Sequence, residues 1–166
     1  MLIDKKFPHH VGRYAFQCLL AMLALMVILF LLDVFSQTAI IASFGASAFV
    51  LFVMPHTREA GPRVVIPSYL IGCLMGVLFK NLVGSGLLTS LRLERPNHYI
   101  VATSLAVGVS IFFMALLNAE HPPAAGLAFS LIVNTWSYTD IAIVLLGITL
   151  LTLVKHLLMP VLKNLY

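Results

Sequence analysis

The chain has 166 residues, of which 61% are hydrophobic and only 10% are charged, and its mean hydropathy is +1.04. A soluble domain carries about 25% charged residues, so this composition excludes a soluble enzyme domain and intrinsic disorder and indicates an integral membrane protein in a lipid bilayer. The net charge is +4, and because the basic residues lie mostly at the ends of apolar segments, they indicate membrane orientation and not a nucleic-acid partner.

Four apolar segments are long enough to cross a bilayer, which needs about 20 residues of helix. They lie at 15–32, 64–88, 99–117 and 141–162. Lys80 lies in the second and Lys155 in the fourth, where a lysine side chain can extend to the membrane boundary.

Two shorter apolar segments, 39–54 and 123–133, separate these spans, so the order long, short, long occurs twice. We therefore expect an all-α membrane protein with four transmembrane helices plus two short re-entrant or half-helical segments in a two-fold repeat. A single transmembrane domain, 1–166, would contain a first repeat at about 15–88 and a second at about 99–162. Short segments in corresponding positions of two repeats point to a central binding site.

The basic residues distinguish two topologies. If both short segments return to the side from which they enter, the basic residues divide eight to two, with the larger number beside the termini. If both cross, the division is seven to three. The positive-inside rule favours the first arrangement, with both termini cytoplasmic, and we expect a bacterial inner membrane. Eleven helical residues at 123–133 extend only about 16 Å, against a hydrocarbon core of about 30 Å, and are predicted not to cross.

The most informative motif is Glu-His-Pro-Pro-Ala-Ala-Gly at 120–126. Pro123 suits the first position of a helix, where its missing N–H costs nothing. The next amides would be unpaired, and their partial positive charge favours an anion; they belong to Ala124, Ala125 and Gly126. His121 could donate a hydrogen bond or take up a proton. The alternative is that Pro122 and Pro123 only begin a short helix after a turn.

The counterpart in the first repeat is Ser-Phe-Gly-Ala-Ser-Ala at 43–48. Ser43 and Ser47 are four residues apart, so they share a helical face and their hydroxyls could line a polar cavity. The alternative is that these small residues, including Gly45, allow close helix packing while each serine bonds its own backbone.

The second span carries two further features. Arg63, at its start, either attracts an anion to the mouth of a pathway or binds a lipid headgroup. Gly72 and Gly76 are four residues apart, which suits tight helix contact and predicts a homo-oligomer interface.

The sequence contains no spacing typical of a nucleophile with its base, of paired catalytic carboxylates or of metal ligands. We therefore expect no enzyme activity, no catalytic residues, no metal and no other cofactor.

Three blocks in order resemble the HPP family of integral membrane proteins: residues 120–126, residues 43–48, and Pro62-Arg63 leading into the second span. The resemblance covers about 15–160. It implies four transmembrane helices and, from plastid and cyanobacterial members, a role in nitrite transport. Where the family often has Gly-Gly-His after Pro-Arg, this chain has Pro67-Ser68-Tyr69.

Together these features predict a transporter or channel for a small inorganic monovalent anion, possibly nitrite, which binds between the two short segments. The expected binding residues are Ser43, Gly45, Ser47, Arg63, His121, Pro122, Pro123, Ala124, Ala125 and Gly126. One rival is a non-transporting assembly or regulatory subunit. A weaker rival is an intramembrane enzyme, which would need an ordered contact between a serine and a histidine.

Overall fold

A computed structural model of the protein describes residues 7–32, 38–85 and 97–165. In this part of the chain the regular elements are six α-helices and a short 3₁₀ turn at Arg58–Ala60. The helices are α1 (Phe7–Leu32), α2 (Thr38–Val53), α3 (Pro62–Gly84), α4 (Asn97–Leu116), α5 (Pro122–Val133) and α6 (Tyr138–Leu158). Four are long and apolar enough to cross a membrane, and α2 and α5 are the shorter apolar helices, so the predicted fold class is confirmed.

Local sequence sets the ends of α4, α5 and α6. Asn118 ends α4 with a φ of 53°, a left-handed conformation that asparagine tolerates better than most residues. Helix α5 begins at Pro122, one residue before the predicted first position, and His121 is its N-cap. Ser137 and Asp140 form a capping box at the start of α6.

Side-chain bonds between helices show which helix ends lie together. The Gln17 side chain on α1 donates to the carbonyl oxygens of Phe52, at the end of α2 (2.7 Å), and of Lys163, beyond α6 (2.8 Å). We call this end of the bundle, which also holds the α2–α3 connection, the near end. At the opposite, far end, the Lys80 ammonium donates to the carbonyls of Ile132 (2.6 Å) and Asn134 (3.2 Å), where α5 ends.

Helix α5 therefore runs from the near side toward the far end. The connection before it is bonded to the near end, because the Arg58 guanidinium donates to the Asn118 carbonyl at 2.7 Å. Helix α2 likewise ends beside Gln17. These contacts support the topology in which both short helices pass between opposite ends of the bundle. They do not support the re-entrant arrangement, in which 123–133 does not cross, that the basic residues and the length of this segment predicted. This is the arrangement in which the basic residues divide seven to three.

Cysteine labelling in sealed vesicles tests this direction. We expect cysteines placed at positions 118 and 137 to react with an impermeant thiol reagent from opposite sides, because α5 connects opposite ends of the bundle. A background in which Cys18 and Cys73 are replaced by serine serves as the control. Labelling of both positions from one side would restore the re-entrant arrangement.

The glycine stripe of α3 contacts α5 inside the protein. A Cβ atom at Gly72 would lie 2.2 Å from the Ala124 carbonyl oxygen, and one at Gly76 would lie 2.8 Å from the Leu131 Cβ. Both glycines are buried, so the prediction that they form a homo-oligomer interface was wrong. Their small size lets α3 and α5 approach closely within one chain.

Candidate functional site

The two serines of α2 point into the protein. Ser43 and Ser47, one helical turn apart, are 5% and 0% exposed. The predicted common face is therefore present. Because hydroxyl groups removed from both water and lipid need hydrogen-bond partners, their surroundings determine what the site can do.

Tyr69 of α3 connects the two serines. Its hydroxyl oxygen lies 2.8 Å from the Ser43 Oγ and 2.7 Å from the Ser47 Oγ. The tyrosine ring stacks on Phe44, with ring centroids 6.4 Å apart, and is completely buried. Tyr69 thus holds a fixed position between two hydroxyls of the neighbouring helix.

His121 adds an imidazole from the connection before α5. Its Nε2 lies 2.8 Å from the Ser47 Oγ, and its Nδ1 lies 3.0 Å from the Glu59 carbonyl oxygen. The residue is 0% exposed. We call Ser43, Tyr69, Ser47 and His121 the hydroxyl–histidine network; it lies where α2, α3 and the start of α5 meet.

The hydrogen atoms of the network can be assigned from its acceptors. A carbonyl oxygen only accepts, so the Nδ1 of His121 must donate to Glu59. In a neutral imidazole, Nε2 is then an acceptor, and the Ser47 hydroxyl donates to it. The Ser47 hydrogen being used, the Tyr69 hydroxyl can donate to Ser47, with the Ser43 carbonyl as a second acceptor at 3.2 Å. The Ser43 hydroxyl can then donate to Tyr69, with the Pro123 carbonyl as a second acceptor at 3.1 Å. When all three side-chain contacts of the neutral network are hydrogen-bonded, every hydroxyl therefore donates toward His121.

The 3₁₀ turn at Arg58–Ala60 covers the histidine from the near end. The hydrogen bond that the His121 Nδ1 donates to the Glu59 carbonyl orients the imidazole. The ammonium of Lys155 on α6 donates to the adjacent Ala60 carbonyl at 3.2 Å. Lys155 is only 3% exposed, so it does not extend to the membrane boundary as predicted. Arg58 lies 3.6 Å from the Glu120 carboxylate in a half-exposed ion pair. Neighbouring elements thus fix the turn on several sides.

Burial lowers the pKa of His121, which lies in the α4–α5 connection outside the spanning helices. The hydrogen bond to the Glu59 carbonyl and the Glu59 charge oppose this shift but are weaker than desolvation. The imidazole is therefore neutral near neutral pH, which agrees with the hydrogen-bond directions above.

Several predicted site residues lie outside this network. Gly45 is on another face of α2, where a Cβ atom would meet no atom within 4 Å. Arg63 is exposed at the start of α3, six residues or about 9 Å along the helix from Tyr69. The Pro123 carbonyl oxygen lies 3.1 Å from the Ser43 Oγ, so Pro123 touches the network through its backbone.

The start of α5 differs from the predicted cluster of free amides. Pro122 and Pro123 have no N–H, and the Ala124 amide donates to the His121 carbonyl at 3.0 Å. The expectation of an unpaired amide at Ala124 was wrong, because the helix begins one residue earlier than predicted and its first turn closes on His121.

An apolar groove of about 430 Å³ lies between α4 and α5 and reaches His121 from the side. Its lining includes Pro122, Ala125 and Gly126, which therefore face this groove and not the serines. Val107, Ile111 and Met114 form the wall contributed by α4.

Sequence reasoning missed Tyr69 and Lys155 as interior polar groups. Tyr69 was noted only as a departure from a family pattern. A tyrosine in the middle of an apolar span needs a partner for its hydroxyl, and that requirement was the available signal. No spacing relates Tyr69 to residues 43–47 or 121, since α2, α3 and the α5 start are joined only by tertiary contact.

Comparison with known proteins agrees with the membrane fold. The profile of the family described as "HPP, transmembrane region" matches residues 7–164, nearly the whole chain. A protein of Dictyostelium discoideum, named only as a transmembrane protein, is 36% identical over 89 residues. The matched part covers 54% of this chain and 28% of that protein, so this chain corresponds to a minor part of that relative. No solved structure matches the chain.

Proposed function

We propose that this chain, which belongs to the HPP transmembrane family, carries a small monovalent anion across the membrane, with nitrite as the first candidate. The observation that supports this proposal best is the buried hydroxyl–histidine network between the two short helices. Its residues come from both repeats, which is where transporters built from inverted repeats bind their substrates.

The chemistry of the network suits weak binding of a single negative charge. The hydroxyls of Ser43 and Ser47 can turn to donate to an anion, and the imidazole can donate once protonated. The network itself contains no lysine or arginine. Its donors can replace part of a hydration shell without holding the ion tightly, as conduction requires.

The near end provides the electrostatic attraction. Arg63 is exposed there, and Lys155 is a buried cation beside the turn that covers His121. Fixed positive charges at the mouth of a pathway raise the local anion concentration. The alternative role of Arg63 is to bind a lipid headgroup. We further propose that the near end, where α1 begins and α6 ends, faces the cytoplasm, that the membrane is a bacterial inner membrane and that the protein forms a homo-oligomer.

Flux into proteoliposomes tests the proposal. We expect the purified protein to accelerate uptake of nitrite over protein-free liposomes, and to move nitrite and nitrate faster than sulfate, because sulfate carries two charges. Equal, background uptake of all anions at several pH values would contradict transport and favour the rival of a non-transporting assembly subunit.

The pH dependence of flux tests the role of His121. Burial lowers the pKa of His121, so protonation begins only below the ordinary histidine range. If the imidazolium donates to the anion, flux rises as the pH falls below the ordinary histidine pKa of about 6.5. His121→Gln, which keeps a hydrogen-bonding side chain but does not titrate, is expected to flatten this profile. The same pH profile of flux in the wild type and in His121→Gln would contradict a role of His121 in coupling anion transport to protons.

The same pKa shift affects stability in the opposite direction. Because the unfolded chain binds the proton at higher pH than the native state does, the native state loses stability as the pH falls through the ordinary histidine range. Flux therefore has to be compared at pH values where the fraction of folded protein is measured to be the same.

A second candidate function comes from the 2.8 Å contact between the Ser47 Oγ and the His121 Nε2. Such a pair, with Nδ1 held by a carbonyl, is the arrangement of a serine nucleophile and its base. Two observations weigh against hydrolysis. Ser47 is completely buried, and the amides nearest the pair, at 122–124, are two prolines and a paired N–H, so they offer no oxyanion donor. Covalent labelling of Ser47 by a fluorophosphonate would favour the enzyme.

A further inference from the structure

We propose that the hydroxyl–histidine network is a reversible proton relay, in which Tyr69 passes a proton from Ser43 through Ser47 to His121. The proposal deepens the proposed function, on which it rests for the purpose that the proton serves. The relay itself depends only on the geometry of the four side chains.

The chain of hydrogen bonds is continuous. Ser43 to Tyr69, Tyr69 to Ser47 and Ser47 to His121 are separated by 2.8, 2.7 and 2.8 Å. Each hydroxyl both donates and accepts, and every member is at most 5% exposed. Because neighbouring oxygen and nitrogen atoms are already within hydrogen-bond distance, protons can pass along the chain without a rearrangement of the side chains.

The transfer balances at every atom. A hydronium ion at the Ser43 Oγ gives up one proton and leaves as water, while the Ser43 hydrogen passes to Tyr69, the Tyr69 hydrogen to Ser47 and the Ser47 hydrogen to the Nε2 of His121. Each oxygen gains one O–H bond and loses one, and one N–H bond forms. The product is an imidazolium with every hydroxyl turned the other way.

In the reversed chain, the Pro123 carbonyl can accept the hydrogen of the last hydroxyl. After transfer, Nε2 donates to Ser47, Ser47 to Tyr69 and Tyr69 to Ser43. The Ser43 hydroxyl then donates to the Pro123 carbonyl, which already lies 3.1 Å from it. The Glu59 carbonyl continues to accept from Nδ1. Both directions of the chain therefore leave its hydrogens bonded, which is the requirement for a two-state element.

The reversed state connects protonation to the helix that carries the histidine. Ser43 lies on α2, and Pro123 is the second residue of α5. The relay thus strengthens a contact between the two short helices when His121 is charged, and weakens it when His121 is neutral. A transporter needs such a link between a titrating group and the relative position of its repeats.

Other ionisable groups surround the relay without interrupting it. These groups are Arg58 and Glu59 on the 3₁₀ turn, Glu120 next to His121, Lys155 on α6 and Cys73 on α3. Arg58 pairs with Glu120, and Lys155 donates to Ala60. Of these charges, that of Glu59 favours the charged imidazole, and its effect is weaker than desolvation.

Carbon NMR of tyrosine labelled at the ζ position tests the relay, since this signal reports whether the hydroxyl mainly donates or accepts. In liposomes, the Tyr69 signal is expected to shift with the same midpoint pH as the His121 ring; Tyr69→Phe assigns it among the five tyrosines. In His121→Gln the shift disappears, and in Ser47→Ala it disappears although His121 still titrates. A Tyr69 signal that stays constant while His121 titrates in the wild type would overturn the relay.

Nitrite uptake driven by a pH gradient is the second measurement. Tyr69→Phe keeps the ring that contacts Phe44 and His121 but breaks the chain at its centre. We expect it to lose the stimulation by the gradient, and full stimulation in this variant would also overturn the relay. If the wild-type protein moves no anion, the proposed function fails, while the NMR result still decides whether the relay exists.

Discussion

Replacement of Gly72 by alanine is expected to destabilise the bundle by about 3 kcal/mol, the upper end of the usual cost of overpacking, because the new methyl group has no space. Its Cβ atom would lie 2.2 Å from the Ala124 carbonyl oxygen, a backbone atom in the first turn of α5. To relieve this overlap, α5 must move away from α3, and His121 and Pro123 would move with it. Thermal unfolding in detergent, followed by the loss of the monodisperse peak in size-exclusion chromatography, measures the effect.

Gly126→Ala is the matched control for this prediction. Gly126 lies two residues after Ala124 on the same helix, but a Cβ atom there meets nothing within 4 Å. We expect its unfolding temperature to stay close to that of the wild type. Equal stability of Gly72→Ala and Gly126→Ala would contradict the close packing of α3 on α5.

Replacement of Ser47 by alanine is expected to reduce nitrite flux about tenfold or more. The Ser47 hydroxyl connects Tyr69 to His121, and its removal takes away one donor to the anion and one acceptor for Tyr69. Loss of a hydrogen bond to a charged group costs about 1.5–3 kcal/mol, and about 1.4 kcal/mol corresponds to a factor of ten. Initial uptake rates into proteoliposomes, normalised to inserted protein, give the ratio.

Ser110→Ala is the control for a buried serine outside the site. Ser110 is 0% exposed, and its hydroxyl donates to the Ala106 carbonyl on its own helix at 2.7 Å. This variant loses a buried hydroxyl without touching the network, so its flux is expected to remain within about twofold of the wild type, a free-energy difference near 0.4 kcal/mol. A comparable loss in both variants would indicate general destabilisation and not a role of Ser47 in transport.

The sequence predicted the features that depend on local pattern. Hydropathy located the four spans and two short helices, and the four-residue spacing placed Ser43 and Ser47 on one face. The His-Pro-Pro motif indicated a helix start with a histidine outside it, and His121 is the N-cap of α5. These features follow from helical periodicity and proline geometry, which need no tertiary information.

Tertiary contacts account for the features that the sequence could not predict. The glycine spacing at 72 and 76 correctly indicated close helix contact, but a spacing does not identify the partner, which is α5 of the same chain. The prediction of how the short helices run rested on a difference of one basic residue between two topologies, which was too small to decide it. Lys155 was expected to extend to the membrane boundary, yet it is buried and donates to the Ala60 carbonyl. Lys80 lies at the far end, where it donates to the carbonyls of Ile132 and Asn134.

The position of Tyr69 shows the same limit at the site. Its hydroxyl bonds residues 26 and 22 positions away in sequence, and no periodicity relates such distances. The family resemblance drew attention to residues 67–69 only as a difference. The structure places the tyrosine at the centre of the network that the predicted residues form.

Nitrogen NMR of histidine-labelled protein in liposomes tests most directly whether the anion binds at the network. The chain has six histidines, and the signals that disappear in His121→Gln identify His121. Addition of nitrite at mildly acidic pH is expected to shift the His121 Nε2 signal and leave Nδ1, held by the Glu59 carbonyl, nearly unchanged. His121 signals that stay fixed at nitrite concentrations that saturate uptake would contradict the account, because the anion would then cross the membrane elsewhere.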